Sequence, residues 1–129
     1  MRLLLDTHVL LWALAEPARL GRAARADIED SNNQVLFSAA SIWEIAIKSA
    51  LGRADFAVSP VAILAAAIES GFSELPVRSA AAVRVALLPL HHRDPFDRLL
   101  VAQAVAEPVM LYTADTTLVE YSELVHVVS

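Results

Sequence analysis

From end to end, the chain alternates short, continuous apolar runs with segments of helix length. Leu3-Leu4-Leu5 and Val35-Leu36-Phe37 are apolar at every position rather than every second one, as strands covered on both faces are. Further strand candidates are Phe72 to Val77, Val109 to Thr113 and, at an edge, Leu124 to Val128. The intervening segments carry helix start and stop signals. Thr7 is placed to cap a run from Val9 to Ala15 that Pro17 stops, and Leu20 to Ile28 reads as a second helix. Ser38 to Leu51 closes at Gly52, and Ser59-Pro60 opens a helix that ends at Gly71. Ser79 to Leu88 stops at Pro89, and Asp94-Pro95 opens a helix reaching Ala106. This alternation predicts a three-layer α/β/α sandwich around a central, mostly parallel sheet of four to five strands, in a single domain over residues 1–129.

Composition narrows the function classes. With 57% hydrophobic and 19% charged residues the chain is not disordered, and some apolar surface is expected to be covered by a partner, a second copy among the candidates. The absence of cysteine excludes thiolate metal sites, disulfides and cysteine nucleophiles. No run reaches the roughly 18 apolar residues of a membrane span, and Asp6 interrupts the stretch where a signal peptide would continue. The expectation is a soluble, cytoplasmic protein with no membrane partner. The three glycines, Gly21, Gly52 and Gly71, form no phosphate-binding cluster, which disfavours a dinucleotide site.

Ligand crevices in open α/β sheets lie beyond the carboxyl ends of the strands. Asp6 follows the first strand, Glu44 lies in the helix after the second, Asp97 sits in the first turn of the helix opened by Asp94-Pro95, and Asp115 follows the fourth strand. Each has an ordinary structural reading. Asp6 and Asp115 suit turns; Ser41-x-x-Glu44 matches a capping box if the helix begins at Ser41 but not if Ser38 is the cap; Asp94 suits an N-cap, with Asp97 then favoured by the helix dipole. Against these stands their common position at one end of the sheet. Two carboxylates about 5 Å apart repel by roughly 3 kcal/mol at an effective dielectric near 20, and a divalent ion would remove that penalty. Oxygen ligands favour Mg²⁺ or Mn²⁺. The net charge of −5, from 15 acids and 10 bases, argues against a nucleic-acid partner, but without these four acids it is −1. An aspartyl-phosphate chemistry at Asp6 is disfavoured because His8 stands where such sites need a second Asp.

Four blocks carry a family resemblance. Leu3-Leu4-Leu5-Asp6-Thr7-His8-Val9-Leu10-Leu11-Trp12, Ser38-Ala39-Ala40-Ser41-Ile42-Trp43-Glu44-Ile45-Ala46-Ile47-Lys48, His92-Arg93-Asp94-Pro95-Phe96-Asp97-Arg98-Leu99-Leu100-Val101-Ala102-Gln103-Ala104 and Tyr112-Thr113-Ala114-Asp115 resemble, in order, the signature blocks of PIN domains, above all toxins of the VapBC toxin–antitoxin type. The resemblance implies a metal-dependent endoribonuclease that hydrolyses RNA phosphodiester bonds. Asp6, Glu44, Asp97 and Asp115 would be the catalytic acids and ligands of Mg²⁺ (or Mn²⁺). Thr113 matches a hydroxyl near the metal, and Thr7 a supporting group. Apart from the resemblance, Arg98 adjoins Asp97, where it could contact phosphate or neutralise the acids, with a plain surface role as the alternative. The implied partners are an RNA substrate and a cognate antitoxin protein filling the groove beside the site. A second copy in a homodimer is expected from the helices near Val9 to Leu14 and Ile42 to Ile47, which carry more apolar residues than one face needs. His91 and His92 read as loop histidines within reach of RNA, and Trp12 and Trp43 as core or partner-facing anchors.

Overall fold

The computed structural model describes residues 1–128. Five strands, β1 (Arg2–Leu5), β2 (Gln34–Ser38), β3 (Ser73–Leu75), β4 (Met110–Thr113) and β5 (Val125–Val127), form one sheet in the order β3-β2-β1-β4-β5. Among the described residues every pairing is parallel, so the sheet is wholly rather than mostly parallel. Among the described residues six α-helices join the strands: α1 (Thr7–Ala15), α2 (Arg22–Glu29), α3 (Ala39–Ala50), α4 (Pro60–Glu69), α5 (Ser79–Arg84) and α6 (Pro95–Ala106).

Side chains alternate across the pleat, so each strand serves two cores. Leu3, Leu5, Val35, Phe37 and Tyr112 pack with residues of α1, α2, α3 and α4, among them Val9, Leu10, Ile45 and Ile63. Leu4, Leu36 and Leu111 pack on the other face against Leu100, Val101 and Ala104 of α6 and Leu118 of the tight turn Thr116–Tyr121. This double coverage explains the continuous apolar runs of β1 and β2. Each fully buried leucine contributes about 1.5–3 kcal/mol of apolar transfer. Gly52 and Gly71 follow the ends of α3 and α4 with φ of +75° and +84°, a region that L side chains rarely adopt.

Several local expectations shift. Asp6, not Thr7, caps α1: its Oδ1 accepts from the Val9 amide at 2.9 Å. Ser38 caps α3, so Ser41 and Glu44 form no capping box. The second helix begins at Arg22, because Pro17–Arg19 form a 3₁₀ turn before it. The third strand shortens to three residues, and α5 ends at Arg84, continuing as a 3₁₀ turn over Val85–Leu87. No helix among the described residues is long and apolar enough to cross a membrane.

Candidate active site

The chain winds from β1 outward to β2 and β3 on one side and reaches β4 and β5 on the other. The reversal of strand order leaves a crevice beyond the carboxyl ends of β1 and β4. Asp6 leaves β1 there, and its amide donates to the Tyr112 carbonyl at 2.9 Å, continuing the β1–β4 ladder. The Thr113 hydroxyl, at the end of β4, donates to Asp6 Oδ2 and accepts from the Asp115 amide at 3.0 Å. One hydroxyl thus ties two of the acids together. Asp115 caps the following 3₁₀ turn, its Oδ1 accepting from the Thr117 amide at 2.9 Å and hydroxyl at 2.7 Å.

Glu44 is delivered by α3 and is buried. Its Oε1 lies 2.6 Å from the Thr7 hydroxyl, itself 2.9 Å from Ser41 Oγ. Its Oε2 pairs with Lys48 Nζ at 2.5 Å, and that ammonium also lies 3.9 Å from Asp94 Oδ2. The Lys48 ammonium sits 5.0 Å from the Phe56 ring centroid and 5.6 Å from that of Phe96, a cation–π setting for a largely covered charge. Asp94 caps α6 through the Phe96 amide at 2.9 Å. Asp97, in the first turn of α6, accepts no hydrogen bond among the described residues; His92 Nε2 lies 3.5 Å from its Oδ2. The same Nε2 is 2.7 Å from Asp115 Oδ2.

A cleft of about 810 Å³ opens over this end of the sheet, lined by Asp6, His92, Asp94, Asp97 and Asp115. Its apolar stretch includes Leu11, Trp12 and Ile63. Of the four acids singled out in the sequence, Asp6, Asp97 and Asp115 line the cleft; Glu44 does not, and its two oxygens are engaged by Thr7 and Lys48. Ligand atoms of His92, Asp97 and Asp115 all lie within 4.8 Å of one another.

The electrostatics tie the set together. Burial, then the negative charges of Asp94, Asp6 and Glu44, push the Asp97 carboxyl up to about 7, with His92 pulling the other way. Burial also raises Asp6 above the usual carboxylate range, against the hydrogen bonds from Thr113 and the Val9 amide. Asp115 is also partly desolvated, but its bonds from Thr117 and His92 outweigh that and hold it low. Asp97 is therefore a carboxylate with unused acceptors beside like charges. The carboxylate oxygens of Asp6, Asp97 and Asp115 in this cleft fit a hard divalent cation such as Mg²⁺ or Mn²⁺.

Arg98, expected to meet phosphate or neutralise the acids, directs its guanidinium elsewhere. It donates to the carbonyls of Pro89 at 3.0 Å and Val85 at 3.1 Å and to the Tyr121 hydroxyl at 3.0 Å. His92 is not simply an exposed loop residue but joins Asp97 and Asp115. Lys48 joins the site as a residue the sequence signals only by its place four residues after Glu44, the spacing of a helical ion pair. Trp12 lines the cleft under the Arg19 guanidinium, 4.5 Å away. Trp43 is 60% exposed and packs edge-on against Phe96 at 5.3 Å.

Comparison with known proteins gives concordant results. A family model described as PIN domain matches residues 3–124. A curated relative, Ribonuclease VapC22 of Mycobacterium tuberculosis, is 35% identical over 115 residues, covering 89% of this chain and 88% of that protein. Among solved structures, the crystal structure of VapBC2 from Rickettsia felis bound to a DNA fragment from their promoter contains a similar chain. Its TM-score is 0.72 with 14% identity over 100% of both chains, a likeness of fold.

Proposed function

The chain belongs to the PIN-domain family, and on that premise we propose that it is a Mg²⁺- or Mn²⁺-dependent endoribonuclease, the toxin of a type II toxin–antitoxin pair. The observation that carries the reading is Asp97: a largely covered carboxylate with no hydrogen bond among the described residues, pushed up to about 7 by burial, by Asp94 at the cap of its own helix, and by Asp6 and Glu44 from other elements. When bound, a divalent cation would lower the pKa of a water and offset charge on a phosphodiester. Asp6, Asp97 and Asp115 would hold it. Thr113 fixes the first of these against the third, and the cap of α1 keeps the Asp6 carboxylate in place. Glu44 would act from behind this group, its orientation set by Thr7 and Lys48.

The rest of the reading follows from the surroundings. The apolar stretch of the cleft beside the acids, with Leu11, Trp12 and Ile63, suits an inserted antitoxin segment. Exposed Val83, Leu87 and Leu90 offer apolar surface that a second copy would cover in a homodimer acting in the cytoplasm. The deciding experiment is cleavage of total RNA by purified protein. Asp6→Asn keeps a good N-cap for α1 and is expected to fold normally by circular dichroism while cleavage falls at least about 100-fold; Asp97→Asn is expected to do the same. EDTA is expected to stop wild-type cleavage, and Mg²⁺ or Mn²⁺ to restore it. Cleavage by either variant at the wild-type rate, or cleavage that survives chelation, refutes the metal-dependent reading.

A further inference from the structure

The segment between α5 and α6 is tied down at both sides of His92. The Tyr121 hydroxyl accepts from the His91 amide at 3.0 Å and the His92 amide at 2.9 Å, and Arg98 anchors Tyr121 and the Pro89 carbonyl at 3.0 Å each. The ring is fixed as well. His92 Nδ1 accepts from the Asp94 backbone amide at 3.0 Å. A backbone N–H only donates, so Nδ1 presents its lone pair and the single proton of the neutral ring resides on Nε2. That proton faces Asp115 Oδ2, 2.7 Å away.

We propose that His92 is a positioning residue of this site, its Nε2–H orienting Asp115 while the Asp94 amide locks the tautomer. The proposal rests on the nuclease reading above and assigns a role to a residue outside the acid set. With Thr117 holding Oδ1 and His92 holding Oδ2, the Asp115 carboxylate has one rotational setting. Each oxygen of a carboxylate has two acceptor sites, so Oδ2 keeps one for a cation. The same geometry disfavours two other roles. A metal-ligating Nε2 would need its proton moved to Nδ1, where it would meet the Asp94 N–H head-on. A general acid giving up the Nε2 proton would leave a ring with none, because Nδ1 is already an acceptor.

Long-range ¹H–¹⁵N correlation spectra of the full chain test this directly, with His92 identified by the signal lost in His92→Gln. The Nε2–H pattern is expected both in EDTA and with Mg²⁺. An Nδ1–H pattern in either condition overturns the proposal. Mn²⁺ binding, followed by the loss of the free-ion electron paramagnetic resonance signal, gives the second arm. His92→Phe is expected to weaken binding about tenfold or more, and His92→Gln, which retains an N–H donor, to recover most of it. Unchanged affinity in a folded His92→Phe protein overturns the positioning role and leaves the nuclease reading intact. Failure of the wild type to bind Mn²⁺ refutes the nuclease reading and this role with it. If His92→Phe does not fold, the wild-type spectra decide the matter alone.

Discussion

Asp97→Asn should make the metal-free protein more stable while abolishing its activity. The Asp97 carboxyl is pushed from an ordinary 3.8 to about 7, first by burial and then by Asp94, Asp6 and Glu44. A raised folded-state value means the native protein holds this proton after the unfolded chain has released it. The associated stability is therefore full below about pH 4 and is lost as pH rises through about 7. At about 1.4 kcal/mol per unit, the span corresponds to roughly 4 kcal/mol at most. Relaxation and water entry reduce this to about 2 kcal/mol. For a domain of 129 residues that is a melting shift of about 7 °C. Asparagine has the same shape and no charge, so at pH 8.5 in EDTA Asp97→Asn should melt about 7 °C above wild type, and at pH 4 the two should nearly coincide. Mg²⁺ should raise the wild type toward the variant and leave the variant almost unmoved. Differential scanning calorimetry over these four conditions measures it. A variant no more stable than wild type at pH 8.5 in EDTA would refute the claim that like charges converge on Asp97.

Other perturbations probe the supports of the site. Lys48→Met leaves the buried Glu44 carboxylate without its counter-charge and should cost about 3 kcal/mol by urea unfolding in EDTA, part of it recovered with Mg²⁺. Arg98→Lys keeps the charge but loses the planar fork; a loss of about 1–2 kcal/mol is expected, with faster amide hydrogen exchange at His91 and His92. Leu111→Ala, in the core below β4, should cost about 3 kcal/mol without changing the affinity for Mn²⁺.

Signals local in sequence agree with the fold. Continuous apolar runs located β1, β2 and β4, and the Ser59-Pro60 and Asp94-Pro95 pairs marked the starts of α4 and α6. Where two local signals compete, the sequence leaves the choice to the fold. Asp6 and Thr7 both suit an N-cap, and the choice fell to Asp6 because β1 ends at Leu5 and its ladder to β4 continues through the Asp6 amide. Ser38 outcompeted Ser41 because β2 runs straight into α3. Of the span Phe72 to Val77 only Ser73–Leu75 pairs with β2, because apolar content does not reveal where pairing stops.

By itself the sequence determined the alternation of elements and which acids would be carried toward one end of the sheet, because periodicity and turn signals act within a few residues. Tertiary structure alone decided how those acids are used. Glu44 is engaged by Thr7 and Lys48, Asp6 by Thr113 from 107 positions away, and Asp115 by His92, while Asp97 is left without a hydrogen bond among the described residues. A carboxylate's chemistry depends on which of its acceptor sites remain open and which charges surround it. Most of those partners lie far along the chain and meet only when the parallel sheet brings the ends of β1, β2 and β4 together.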